Sequence, residues 1–459
     1  MTHWNIMKVF FLTVVSLSTT TTVGQTPAGK NSTNVLSEQF TEETSISLMG
    51  DASCSVAWGD YDNDGDLDIL LTGDSNYGRV SKIYKNNGDG TFTEQTSITL
   101  AGVTQGSVSW GDYDNDGDLD ILLSGYTSYP NRVSKIYENN GDGSFTEQTA
   151  ISLTGVNSSS VSWGDYDNDG DIDVLLTGYN NGSVSKIYKN GGDGTFTEQT
   201  SISLEGVSDG SVAWGDYDND GYLDILLTGY TSYPNRISKI YKNNGDGTFA
   251  EQTSISLTGV NASSVSWGDY DNDGDLDILL TGNGGNSIVS KIYKNSGDGT
   301  FTEQTSISLE GVYDGSVAWG DYDNDGDLDI LLTGNGGNGR VSKIYKNNGD
   351  GTFSEQTSIS LAGVSGGSVA WGDYDNDGDL DILLTGYSSG REVAKVYKNN
   401  NAILNTIPNA PTNLNSAVNG NSVTFNWNKS TDNETPQNGL HYNLVIGTTV
   451  NSVNTLSPM

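Results

Sequence analysis

Histidine is almost missing from this sequence. It occurs twice, at His3 and His441, and the long stretch between them has none. For that stretch, histidine general-base catalysis, histidine-based triads and histidine-ligated zinc are excluded. Cysteine occurs once, at Cys54, so no intrachain disulfide can staple the fold, and Cys54 reads as an inert buried or half-buried thiol. Basic residues are scarce, 21 against 59 acidic, for a formal net charge of −38 over 459 residues. A chain this negative repels nucleic-acid phosphates. Proline is rare at 7 residues while glycine reaches 59, which suits a turn-rich all-β protein, and no stretch carries a helical period. Long apolar runs are also absent. The run Val9–Leu17, after Lys8, is too short to span a bilayer, and nothing later does so. Followed by small and polar residues up to Gly24 and Gln25, it predicts a secretory signal over 1–24 and then a polar linker over 25–39.

What the sequence has in abundance is one acidic loop. Asp60-Tyr61-Asp62-Asn63-Asp64-Gly65-Asp66-Leu67-Asp68 follows Trp58-Gly59 and returns, nearly letter for letter, from Asp112, Asp165, Asp216, Asp269, Asp321 and Asp373. These loops hold 34 of the 59 acidic residues (five in each of seven, less one replaced by Tyr222), so the acidity is local. Carboxylates at positions 1, 3, 5 and 9 are hard oxygen ligands on one short loop, and Gly65 at position 6 can adopt the positive φ that bends it around an ion. Without a cation those charges repel one another. Calcium is the natural counter-ion, since it accepts six to eight oxygens in flexible geometry, whereas magnesium demands a strict octahedron. An EF-hand would need Glu at position 12, where Leu71 stands, so this is a different loop. A single copy would pass for an acidic turn, but seven at a period of 51 to 53 residues would not.

That period is the length of one four-stranded propeller blade. In the first repeat, Ser55–Trp58, Leu67–Gly73, Val80–Lys85 and Phe92–Leu100 read as strands, with a tight turn at Asn86-Asn87-Gly88-Asp89-Gly90. The fourth-strand pattern also occurs at Phe40–Leu48, before any acidic loop, and is missing after the seventh. A one-plus-three exchange, in which the N-terminal strand completes the last blade, would therefore close a seven-bladed ring over 40–401 without an open edge.

These repeats resemble the FG-GAP/VCBS type and are similar to the calcium-binding blades of the integrin α-subunit propeller, on the strength of Trp-Gly-Asp, the nine-residue loop and Asn-Gly-Asp-Gly-Thr-Phe. The resemblance implies calcium, up to seven ions, held by side chains at positions 1, 3, 5 and 9 and the carbonyl at position 7. In this chain those are Asp60, Asp62, Asp64, Asp66 and Asp68; Asp112, Asp114, Asp116, Asp118 and Asp120; Asp165, Asp167, Asp169, Asp171 and Asp173; Asp216, Asp218, Asp220, Tyr222 and Asp224; Asp269, Asp271, Asp273, Asp275 and Asp277; Asp321, Asp323, Asp325, Asp327 and Asp329; and Asp373, Asp375, Asp377, Asp379 and Asp381. Carbonyl coordination at position 7 would make Tyr222 harmless. From about Pro408 the chain changes character. Val423–Trp427 and Leu440–Leu444 resemble the opening strands of a fibronectin type III module, so 408–459 is expected to be a partial module of that kind.

The copies differ mainly in two connections, one between the second and third strands and one leading to the next blade. In a propeller both emerge opposite the acidic loops. Tyr126, Tyr129, Arg132, Tyr179, Tyr230, Tyr233, Arg236, Tyr313, Arg340, Tyr387 and Arg391 would then decorate a ligand face, although variation without selection also produces such loops. The repeated tryptophans invite a sugar-stacking role, but an inner strand favours packing between blades. Seven near-equivalent acidic sites argue for structural metal, because an active site is usually a singular constellation. The sequence therefore points to a secreted or cell-surface, non-catalytic, calcium-binding propeller for adhesion or recognition of a glycan or protein ligand. Its alternatives are a calcium-stabilised polysaccharide lyase, with Tyr or Lys as base, and an architectural spacer.

Overall fold

The computed structural model describes residues 39–401 apart from 51, 76 and 77, together with 411–419, 422–428 and 430. The expected signal, nearly all of the linker and the Leu440–Leu444 strand lie outside the described residues. No helix occurs among the described residues. The chain is a seven-bladed β-propeller of four-stranded antiparallel blades.

After β1 (Phe40–Glu42), the first blade is β2 (Ala52–Gly59), β3 (Asp68–Ser75), β4 (Gly78–Asn86) and β5 (Phe92–Glu94), paired in chain order. Five further blades repeat that order. In the remaining sheet, Val369–Gly372, Asp381–Ser388 and Arg391–Asn399 are joined by β1, with Phe40 opposite Asn399 and Glu42 opposite Tyr397.

β3 is an uninterrupted apolar run because it is covered on both faces. Ile69, Leu70 and Leu71 are fully buried. Successive strand residues point to opposite faces. Leu70 accordingly packs toward the second blade, with Val108, Ile121 and Leu123, while Ile69 and Leu71 pack toward the seventh, with Leu383 and Val396. The hydrophobic core is thus seven seams between blades, and no seam can form within one repeat. Each seam is keyed by an aromatic set. Trp110 stacks on Tyr61 of the preceding blade, ring centres 6.2 Å apart and planes 7° from parallel, with Phe145 tilted against both. Gly59 is required there, since a Cβ on it would lie 2.6 Å from Trp110 Cδ1. The last seam repeats the first: Trp58 stacks on Tyr374, and Gly372 faces Trp58. The tryptophans are half-buried packing residues, each stacked on a tyrosine of the neighbouring blade, which favours packing between blades over sugar stacking.

The fourth strand is shorter than its apolar pattern predicts. Pairing was expected over Phe92–Leu100, but β5 ends at Glu94. Amides of Thr96 and Ile98 turn back onto the carbonyls of Glu94 and Gln95, and Ile98 and Leu100 then pack against the next blade. Their alternation reflects burial in a seam, not continuation of the sheet. Beyond the ring, Thr412–Asn419 and Ser422–Asn428 form an antiparallel hairpin.

Deleting Phe40 to Leu48 removes β1 and bares the edge of the Arg391–Asn399 strand, which can then pair with another chain. Size-exclusion chromatography and calorimetry should report aggregation or loss of cooperative unfolding. A monomeric deletion variant with an unchanged melting curve would mean that β1 contributes nothing to the ring.

Candidate metal centre

Each acidic loop joins the inner strand of a blade to the second, so the seven loops share one end of the propeller. Within the first, Asp60 is spent on the loop itself: Oδ1 accepts from the Asp64 amide at 3.0 Å and Oδ2 from the Gly65 amide at 2.9 Å. Asn63 and Gly65 carry φ of 58° and 93°, which folds the chain back over Asp60. Asp68 is fully buried and accepts from the Tyr61 amide at 3.1 Å and the Asn86 amide at 2.7 Å. Carboxylate oxygens of Asp60, Asp62 and Asp68 come within 4.8 Å of one another. The corresponding trios recur at Asp112, Asp114 and Asp120, at Asp165, Asp167 and Asp173, and at Asp216, Asp218 and Asp224, while Asp269 gathers with Asp271 and Asp273. These clusters can hold a metal ion.

A lysine from the third strand reaches each loop but one. Lys85 pairs with Asp62 and, at 2.9 Å, with Asp64, and Lys189, Lys242, Lys294, Lys346 and Lys398 do the same to positions 3 and 5 of their loops. In these six loops the other oxygen of position 3 (Oδ1 of Asp62, Asp167, Asp218, Asp271, Asp323 and Asp375) is buried without a hydrogen-bond partner. An orphaned buried carboxylate oxygen is costly and calls for a cation or water. The donor set, all hard oxygen, fits a group 2 ion.

The position-7 side chain has a role that the sequence conceals. The Asp118 carboxylate accepts from Asn63 Nδ2 of the preceding blade at 2.8 Å, and that nitrogen also meets the Gly117 carbonyl at 3.2 Å. Equivalent links run from Asn115 to Asp171, Asn219 to Asp275, Asn272 to Asp327, Asn324 to Asp379 and Asn376 to Asp66. Asn168 meets only the Gly221 carbonyl, since Tyr222 offers no carboxylate. The loops are therefore tied to one another around the ring. Asn86, also missed, is buried and bridges blades, donating from Nδ2 to the Tyr374 carbonyl at 2.7 Å while its amide holds Asp68. Repetition of these asparagines in every copy was the available signal.

The β3–β4 turn and the connection to the next blade lie at the other end. There Arg132 lies over Tyr126 and Tyr179, each 5.1 Å from its guanidinium carbon, and donates through Nε to Asn157 at 2.7 Å. Arg236 repeats this over Tyr230 with Asn261, and Arg340 lies over Tyr387. Tyr129 and Tyr233 project at 83% and 85% exposure. Tyr313 instead pairs by its backbone with Asn335, and Arg391 sits at the start of its strand opposite Ser388. Asn157 and Asn261, which stand in glycosylation sequons, are buried. A cavity of about 260 Å³ opens on the axis between the inner strands, lined in part by Ser53, Gln105, Asp209 and Asp314. Cys54, half-buried at its edge, donates to Thr385 Oγ1 at 3.1 Å.

A family model described as FG-GAP-like repeat matches residues 60–123, 126–176, 166–227, 230–280, 271–332 and 330–384, which take in all seven acidic loops. No curated protein matches. Among solved structures, an exo-β-1,3-galactanase from Phanerochaete chrysosporium is similar at 9% identity and a TM-score of 0.32, over 77% of this chain and 93% of that one. A gluconolactonase from Xanthomonas campestris aligns at 10% identity and 0.37, over 78% and 98%. The Aleuria aurantia lectin, as a variant bound to α-methyl-L-fucoside, aligns at 11% and 0.39, over 68% and 97%.

Burial pushes the position-9 carboxylates up: Asp68 and Asp224 to about 7, Asp120, Asp173, Asp277 and Asp381 to about 8, and Asp329 to about 9. Amide donors oppose the shift and neighbouring loop carboxylates add to it. Such groups bind protons more tightly folded than unfolded, so they stabilise below the unfolded value near 4 and lose that contribution as pH rises through 7 to 9. In chelator, the melting temperature should therefore fall steadily from pH 5 to pH 8. With a divalent cation present the dependence should weaken or reverse, because protons then compete with the ion. A melting temperature in chelator that rises over this range would contradict the burial argument.

Proposed function

The chain belongs to the FG-GAP-like repeat family, and from that premise we propose that it is a secreted or cell-surface, non-catalytic recognition module whose ring of calcium sites holds a ligand-binding face rigid. The observation that carries the calcium reading is the orphaned, buried Oδ1 of position 3, repeated in six loops beside clustered carboxylates. Side chains at positions 1, 3, 5 and 9 and the carbonyl at position 7 would hold each ion. The ion would supply charge neutralisation to a loop that already engages its neighbour through the position-4 asparagine. Extracellular sites of this type have dissociation constants of about 10⁻⁴–10⁻³ M. At roughly millimolar calcium each independent site then adds about 0.4–1.4 kcal/mol, and seven add about 3–10 kcal/mol, comparable with the whole stability of a domain.

Recognition is assigned to the opposite face. Tyr129 and Tyr233 stand exposed there on two copies of the same Gly-Tyr-Thr-Ser-Tyr-Pro-Asn-Arg turn, each beside a tyrosine, Tyr126 or Tyr230, that lies against an arginine fixed by an asparagine. Exposed tyrosines beside anchored tyrosine–arginine pairs suit a glycan or protein ligand, because aromatic and arginine side chains supply contact area and hydrogen bonds.

An array of glycans and extracellular-matrix proteins, probed in calcium and in chelator, tests this reading. Binding should require calcium. Replacing both Tyr129 and Tyr233 by Ala should weaken the response to any bound ligand at least about tenfold, with the melting temperature almost unchanged. Normal binding by that variant, with loss on altering the acidic-loop face instead, would place the ligand at the wrong end of this account.

A further inference from the structure

One of the seven loops lacks its lysine. Where the other third strands carry Lys85, Lys189, Lys242, Lys294, Lys346 or Lys398, the second blade carries Glu138. The exchange changes the local charge by two units, and it happens where the lysines contact positions 3 and 5. Glu138 Oε2 instead accepts from Tyr113 Oη at 3.4 Å and from Gln148 Nε2, which holds the carboxylate beside the loop. Asp112, Asp114 and Asp120 still gather within 4.8 Å. The loop itself is built like the others, with Asp112 accepting from the Asp116 and Gly117 amides at 3.0 Å and Asp120 accepting from Tyr113 and Asn139.

We propose that the seven cation sites fall into two classes, and that the second loop, with Glu138 in place of a lysine, is a single high-affinity site among six weak ones. In six loops an incoming divalent ion must displace or tolerate an ammonium already paired to two of its ligands. In the second loop no ammonium competes, and an added carboxylate attracts the ion and supplies a further hard oxygen within the site's surroundings. Coulomb attraction to a divalent ion makes a two-unit change at contact range worth at least about tenfold in affinity, even partly screened. The second loop also bears the most unbalanced charge without metal, so it is filled first and emptied last. The lysines in turn let the other six loops hold their shape when calcium is low.

This inference rests on the calcium reading of the loops, and one titration separates the two. The full chain, stripped of metal, is titrated with calcium by isothermal calorimetry, and in parallel with terbium, whose luminescence is sensitised by nearby tyrosine and tryptophan. The expected isotherm has one site at least about tenfold tighter than the remaining six. Glu138→Lys restores the residue that the other blades carry, and should abolish the tight class while leaving total capacity intact. Lys242→Glu should create a second tight site. A wild-type isotherm with seven equal sites, or a tight site that survives Glu138→Lys, would overturn the proposal and leave the calcium reading standing. No binding of either ion at millimolar concentration would overturn both.

Discussion

Electrostatic repulsion within the acidic loops is the constraint on which the rest of this fold depends. Five carboxylates, or four in the loop that carries Tyr222, are placed on nine residues, seven times over, at one end of a single ring. The protein meets that load in three ways. Backbone amides of each loop turn inward onto position 1, amides such as those of Tyr61 and Asn86 fix position 9, and in six of the seven loops a lysine from the third strand reaches positions 3 and 5. What these devices leave over, in six loops, is a buried, partnerless oxygen on position 3, where a cation could sit.

The loops and the hydrophobic seams are one system. Tyr61 supplies its ring to the Trp110 stack, its amide to Asp68 and its carbonyl to Asn139 of the next blade. Disturbing a loop therefore disturbs the seam beside it, and the position-4 asparagine carries the disturbance to the following loop. A ring assembled from such nearest-neighbour contacts gains its cooperativity at the seams, since a single blade buries neither face of its central strand.

Much of this was legible in the sequence because it was written seven times. The period gave the blade and the alternating carboxylates gave the cluster, whereas the burial of β3 on both faces emerged only from the structure. The fourth strand was misjudged because Ile98 and Leu100 alternate for the sake of the next seam, and alternation alone cannot tell a paired strand from a packed turn. The roles of Asn63, Asn86 and Lys85 were hidden for a different reason. A polar residue in a turn-rich repeat has many ordinary explanations, and only its partners across blades reveal which applies. Glu138 stood in plain view as the odd letter in its column, but it acquired meaning only once the lysines were seen to reach the loops.

The central claim is that bound calcium is part of the fold, and calorimetry of the full chain in millimolar calcium and in EDTA tests it most directly. The account predicts a sharply lower melting temperature in EDTA, restored when calcium is returned, with a single Asp→Asn change at position 1 or 3 removing only a fraction of the difference. Equal melting temperatures in the two buffers would mean that the loops are self-sufficient acidic turns, held by their own amides and lysines.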